Sequence, residues 1–540
     1  MAPATPPVEA TGVPGLDWVL GGGLRRGALA LVVGPPGSGK TMLVSQMAFA
    51  AAATGRRALI LTVLSEPVSK LLQHLRGLRF FDETLVGDRV LVYSLQQFLT
   101  QGLSGAGNEV VATAREARAR LVVIDGFSGL RDADGSPQAV REFLYELGTK
   151  LGIQGMTTVI ATEGQARDPG FYRMATTADV VVGLDADLDN VRARRWLEVL
   201  KVRGAAPRTG LHGLTLDASG AAVHPRLEAR VTVAIRDAAN ETEETSRTGG
   251  TDERARFGVP VLDALLHGGL TQESATLVVG TLGTGKTLLG LHFALAGVEA
   301  GEPVLFLGFR ETPRELLHKA DAFDLGRQLR AATAPGGGLT LVRRAPVELN
   351  AEVAADELLA ELDRTKARRL VVDSTAELER AVSEGSSPAR VPNYLAALAE
   401  ALQLRGVTAL FIKEVGAMIT PELALPADLT AVVAENVIAL HQVPSGDRLR
   451  RVLSLPKMRL SAHDAALHEF TIEPPAGIKV LGPFESGYGV FADLAGQRAA
   501  TGARPSPTTE GGTLGEAVPP GPTAPGSVQE AATGTGSATA

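Results

Sequence analysis

The octapeptide GPPGSGKT at residues 34–41 returns as GTLGTGKT at residues 280–287, and its flanks return with it. VPGLDWVLGGGL (13–24) is answered by VPVLDALLHGGL (259–270), RLVVIDG (120–126) by RLVVDST (369–375), and LKVRG (200–204) by PKMRL (456–460). Four landmarks repeated in one order indicate a tandem duplication, so the fold must be built from two similar units. Within each unit, short apolar, β-branched runs alternate with stretches of helical length. The first unit has ALALVVG (28–34), RRALILTV (56–63), LVVID (121–125), TTVIAT (157–162) and ADVVVGL (178–184), with helical spacing over 41–53 and 137–151. SATLVVG, PVLFLGF, RLVVD, VTALFIK and NVIALHQ repeat the series in the second. Runs that are apolar at every position suit strands covered on both faces. The pattern predicts an α/β fold of two tandem P-loop domains, each a mostly parallel sheet flanked by helices.

The predicted domains span 11–236 and 254–495. Between them, DAANETEETSRTGGTDE (237–253) is polar and acidic and reads as a linker. Residues 496–540 are mainly Gly, Pro, Ala, Thr and Ser, with no aromatic side chain, and are predicted to form a disordered tail. The chain has no Cys, which excludes disulfides, thiolate zinc sites and Cys nucleophiles. A net charge of −7 argues against a broadly basic nucleic-acid binder. No apolar run approaches the roughly 18 residues of a membrane span, and MAPATPPVEATG lacks the signal-peptide pattern. A soluble, cytoplasmic protein without a membrane role is expected. The nine histidines lack ligand spacing, and Trp18 and Trp196 read as packing residues.

GxxxxGK[ST] between a strand and a helix is a phosphate cradle. Its glycines let the backbone curl so that N–H groups face phosphate oxygens, over the positive end of a helix. The cradles are Gly34, Gly37, Ser38, Gly39, Lys40 and Thr41, and Gly280, Gly283, Thr284, Gly285, Lys286 and Thr287. Lys40 and Lys286 would reach the β- and γ-phosphates of ATP and stabilise charge there. The Thr41 and Thr287 hydroxyls would ligate Mg²⁺. Asp125 and Asp373 each end an apolar strand expected beside the P-loop in the sheet, where a carboxylate can hold the same metal through water; capping the next helix is the less favoured role. Glu163 and Glu414, after the fourth strand, could sense the γ-phosphate, contact a neighbouring subunit, or do neither.

These features together resemble the KaiC family of the RecA superfamily, over about residues 11–226 and 256–490. The resemblance implies RecA-like domains, ATP and Mg²⁺ as cofactors, and six chains in a double-layered ring with nucleotide between neighbours. It also implies that Lys201 and Arg203, and Lys457 and Arg459, reach across the interface to the neighbour's nucleotide; a lone K-x-R reads as a solvated basic strand face, but its duplication favours the interface role. KaiC-like domains usually carry two adjacent glutamates after the second strand. Here the second unit has Arg310 and then Glu311, while the first has Leu64-Ser65 or, with a one-residue slip, Ser65-Glu66. Hydrolysis is therefore expected mainly in the second unit, with Glu311 as base. The acceptor positions of the clock members' autophosphorylation fall on Ala431 and Val432, with Thr430 nearest, which argues against an autokinase.

The leading expectation is a ring ATPase that signals to protein partners still to be identified. RadA-like action on single-stranded DNA is the alternative. Its two candidate loops, 126–137 and 376–390, mix charges of both signs and argue against nucleic acid. A nucleotide-binding scaffold with little turnover is a third reading.

Overall fold

A computed structural model describes residues 7–62, 67–127, 137–168, 175–189, 192–241, 253–415, 434–445, 448–459, 461–464, 466–475 and 477–484. Residues 1–485 form one compact unit. The second unit, 486–540, contains the predicted tail and lies outside the described residues.

Among the described residues, each half holds a nine-stranded sheet, and the two sheets share one strand order. From its parallel edge the first runs Val90–Ser94, Ala58–Thr62, Leu121–Asp125, Thr157–Glu163, Leu29–Gly34, Val180–Asp189, Arg192–Val202, Leu211–Asp217, Gly220–His224. The second runs Leu339–Arg343, Val304–Gly308, Arg369–Asp373, Thr408–Glu414, Ala275–Gly280, Asn436–Ser445, Arg448–Met458, His468–Glu473, Gly477–Pro483. In each, the first six strands are parallel and the last three antiparallel. These are tandem RecA-like domains.

The central strand explains the predicted two-sided burial. Ala30 and Val32 enter one core with Ala48 and Phe49 of helix Lys40–Ala53, while Leu29, Leu31 and Val33 enter the core on the other face with Phe143 and Leu147. The second half repeats this, with Val278 on one face and Leu277 and Val279 on the other. The LD pair of the opening motif is structural. Asp17 Oδ1 accepts the Thr11 N–H at 2.9 Å, and the Asp263 carboxylate accepts the Phe257 and Gly258 N–H groups at 2.7 and 3.0 Å.

The first residues of the predicted linker are helical. Helix Leu227–Glu241 runs past residue 236, and its Leu227 and Val231, four apart on one face, belong to the core of the second half.

Candidate nucleotide sites

The two P-loops have nearly the same backbone. Gly37 and Gly283 take φ of 77° and 76°, and Gly39 and Gly285 take 99° and 88°, the left-handed region that favours glycine. Gly34 and Gly280 are required for another reason: a Cβ there would lie 2.6 Å from Ser38 Oγ and 2.7 Å from Thr284 Oγ1. Lys40 Nζ donates to the Gly34 and Pro35 carbonyls at 2.9 and 2.8 Å, and Lys286 Nζ to the Thr281 carbonyl at 2.7 Å. Both lysines bend into the loop where phosphate oxygens would sit. Burial lowers their pKa; Glu163 and Asp125 oppose this at Lys40, and Glu414 and Asp373 at Lys286. The buried Ser38 hydroxyl has no hydrogen-bond partner among the described residues.

The strand order corrects one expectation. Asp125 and Asp373 are not on strands next to the P-loop strands, because Thr157–Glu163 and Thr408–Glu414 are inserted between. The residues level with Gly34 and Gly280 are Glu163 and Glu414. Asp373 nevertheless reaches the P-loop: Thr287 Oγ1 donates to its Oδ2 at 2.7 Å. Burial pushes the Asp373 carboxyl up, with Thr287 opposing. A curled glycine backbone, a lysine folded into it, and a hydroxyl facing a carboxylate fit a nucleoside triphosphate with a divalent cation. The residues that would hold the cation are Thr287 and Asp373, and by duplication Thr41 and Asp125.

Glu311 is paired with Lys319. Arg310 does not pair with its neighbour Glu311 but donates from Nε to Glu377 Oε1 at 2.8 Å. In the second half three residues separate strand Val304–Gly308 from the helix cap Thr312; in the first, four separate Ala58–Thr62 from the cap Pro67. The extra residue falls within 63–66, outside the described residues, and Glu66 lies there. Counted back from the caps, Glu66 immediately precedes Pro67 as Glu311 precedes Thr312. The helices agree, since Leu71 and Leu75 are buried as Leu316 and Ala320 are.

Lys201 Nζ donates to the Ala175 and Thr176 carbonyls at 2.9 and 3.2 Å, and Arg203 Nη2 to that of Thr176 at 2.9 Å, so both lie on one side. Lys457 Nζ donates to the Ala434 carbonyl at 2.8 Å, and Arg459 faces Glu435 at 4.0 Å. Two further arginines were missed in the sequence. Arg195 Nε donates to the Gly37 carbonyl at 3.2 Å and Arg451 Nε to that of Gly283 at 3.4 Å. The repeated signal was RARR (192–195) and RLRR (448–451), six residues before each K-x-R. Beside the first P-loop, a cavity of about 330 Å³ is lined by Gly37, Lys40, Thr41, Leu71, His74 and Leu78, among others.

The candidate DNA loop at 376–390 is mostly helix, Thr375–Gly385, and its Arg390 is paired with Glu228 and Glu352. Most of the other, 128–136, and the stretch containing Thr430, Ala431 and Val432 lie outside the described residues. Trp196 is buried, and Trp18 packs on the core beneath Arg208. No helix of the described residues is long and apolar enough to cross a membrane.

A family model described as "ATPase: KaiC" matches residues 9–228 and 255–485. The chain is 26% identical over 507 residues to circadian clock protein KaiC3 of Synechocystis sp., covering 89% of this chain and 93% of that one. It is 25% identical over 483 residues to circadian clock oscillator protein KaiC of Synechococcus elongatus, with 86% and 87% covered. The protein of that name from Picosynechococcus sp. is 24% identical over 479 residues, with 86% and 88% covered.

Proposed function

Because the chain belongs to the KaiC family of ATPases, we propose that it binds ATP with Mg²⁺ in both P-loops, hydrolyses it slowly, and signals through the state of a homo-oligomeric ring. The observation that carries this reading is the duplicated cradle, with similar glycine φ angles and a lysine turned inward in both copies. When bound, Mg²⁺ supplies charge neutralisation between the phosphates, held by Thr41 and Asp125 or by Thr287 and Asp373. Lys40 and Lys286 exchange loop carbonyls for phosphate oxygens. In such a ring, Lys201, Arg203, Lys457 and Arg459 reach across to the neighbouring protomer's nucleotide, six chains being the number the family resemblance implies.

Hydrolysis belongs mainly to the second site. There Glu311 exchanges Lys319 for the attacking water, orients it and takes its proton while Lys286 faces the charge on the transferred phosphoryl group. Phosphate release by Lys40→Ala and Lys286→Ala, measured separately on the full chain, tests the assignment. Lys286→Ala should lose most of the turnover and Lys40→Ala keep most of it. Equal residual rates would end the preference for the second site. Native mass with and without ATP tests the ring, and a single-protomer mass under both conditions would refute it.

A further inference from the structure

We infer that Arg310 is a ligand, supplied within the same chain, for the terminal phosphate of a nucleoside triphosphate at the second P-loop, and that it makes this site prefer triphosphate over diphosphate. The inference rests on the nucleotide-site reading above. Phe309 N–H still donates to the Asp373 carbonyl at 3.1 Å, and its ring is fully buried, so the chain is pinned to the Asp373 strand up to the residue before Arg310. Arg310 then leaves the sheet at the strand ends that face the P-loop. Its Nε bond to Glu377 is a firm anchor, because Glu377 is only 2% exposed and its other oxygen accepts the Ser374 hydroxyl at 2.7 Å.

The far end of the guanidinium is held much less firmly. Nη1 lies 3.6 Å from Glu414 Oε2, beyond hydrogen-bonding distance, and the side chain as a whole is 62% exposed. Glu414 is level with Gly280, the first P-loop residue, and it also acts electrostatically on Lys286. Arg310 and Lys286 thus both feel the charge of one carboxylate, which lies level with the first residue of the cradle. A planar guanidinium fixed at Nε still offers its Nη donors to phosphate oxygens.

Charge also calls for a cation here. Asp373, Glu311, Glu377 and Glu414 gather here, acting on one another or on Lys286 and Arg310, and they outnumber the two lysines, Lys286 and Lys319. Without Arg310, a triphosphate would bring its extra charge towards Glu377 and Glu414 with no cation between them and the phosphate beyond Lys286, Lys319 and the bound Mg²⁺. Arg310 and Glu377 occur together in the second half and are absent together from the first. There, counting from either the strand or the cap gives Leu64 or Ser65, and the fourth residue after Asp125 is Gly129. The selectivity therefore belongs to one site of the two.

The test uses the full chain carrying Lys40→Ala, which silences the first cradle, titrated with Mg²⁺-AMP-PNP and Mg²⁺-ADP. Arg310→Gln keeps a donor for Glu377 but loses the charge; Arg310→Lys keeps the charge but loses the planar fork. Thermal unfolding of each variant establishes that it is folded. Arg310→Gln should weaken AMP-PNP binding about ten- to a hundredfold, the range of a charged phosphate contact, and leave ADP binding nearly unchanged. Arg310→Lys should fall between Gln and the parent. An unchanged ratio of the two affinities in Arg310→Gln, whether both weaken or neither does, would overturn the inference and leave the nucleotide site standing. A Lys40→Ala parent that takes neither nucleotide would overturn the reading of the second site and this inference with it.

Discussion

His212 bridges two backbone groups. Its ring is fully buried; Nε2 lies 2.8 Å from the Arg208 carbonyl, and Nδ1 accepts the Arg226 N–H at 3.1 Å. That pair of contacts requires the neutral ring with its proton on Nε2, since a proton on Nδ1 would leave the Arg226 N–H facing another donor. Burial accordingly lowers the His212 pKa, and it lowers those of His292 and His441 as well. An unfolded chain protonates these rings near the ordinary value of about 6.5, before the folded one does, so acidification through that value favours unfolding. The thermal midpoint should therefore fall between about pH 7.5 and pH 5.5, and His212→Gln should flatten that slope. A slope that His212→Gln leaves unchanged would remove His212 from the account. The contact between Thr287 and Asp373 was foreshadowed in the sequence, because the cradle motif fixes the place of Thr287 and Asp373 ends an apolar strand. Glu377 and the Lys319 partner of Glu311 were not legible, because those contacts depend on how a helix leaves its strand.

The P-loop elements are constrained by what packs above them as well as by their own dihedrals. A Cβ on Gly285 would lie 2.4 Å from Ile472 Cδ1, and one on Gly39 would lie 2.6 Å from Leu216 Cδ1. Both contacts come from the antiparallel strands at the far side of the sheet, Leu211–Asp217 and His468–Glu473, which fold over the loop. Gly285→Ala should thus lose stability in two separable parts, the left-handed dihedral at about 1–2 kcal/mol and the clash with Ile472. A urea-denaturation double-mutant cycle with Ile472→Val should recover part of the second and none of the first. Strictly additive losses would show that the clash relaxes without cost. The inner parallel strands Leu29–Gly34, Ala58–Thr62, Leu121–Asp125 and Thr157–Glu163 were read from sequence to within a residue or two, whereas the edge strands Val90–Ser94 and Leu339–Arg343 were missed. ADVVVGL (178–184) was read short, because strand Val180–Asp189 continues as an antiparallel partner of Arg192–Val202. Strand order was hidden, since nothing in an apolar run says which run lies beside it; this is why Glu163 and Glu414, not the two aspartates, sit level with the P-loop glycines.

The two halves are joined by charge as well as by apolar packing. Arg390, just beyond helix Thr375–Gly385, makes a two-pronged contact with Glu228 of the first half, 2.7 Å on each prong, and an ion pair with Glu352 at 2.6 Å. Asp356 pairs with both His224 and Arg230, and Arg194 with Glu384, across the same boundary. Glu352 is 1% exposed, and burial raises its pKa against the pull of Arg390. None of this was legible beforehand, because partners 162 residues apart share no local pattern and a charged residue in sequence reads as solvated surface. The joint makes a specific prediction. Arg390→Ala leaves Glu228 and Glu352 close together in low dielectric with no cation between them, and should cost about 3–5 kcal/mol. Arg390→Met with Glu228→Gln and Glu352→Gln removes the charges as a set and should recover most of that loss, because a buried ion cluster stabilises little relative to a neutral one of similar volume. Urea denaturation followed by tryptophan fluorescence reads both variants, since Trp196 lies beside Gly385 at the same boundary. A single mutant no less stable than the parent, or a triple mutant no better than the single, would mean that apolar packing of Leu227 and Val231 holds the halves together without help from the charges.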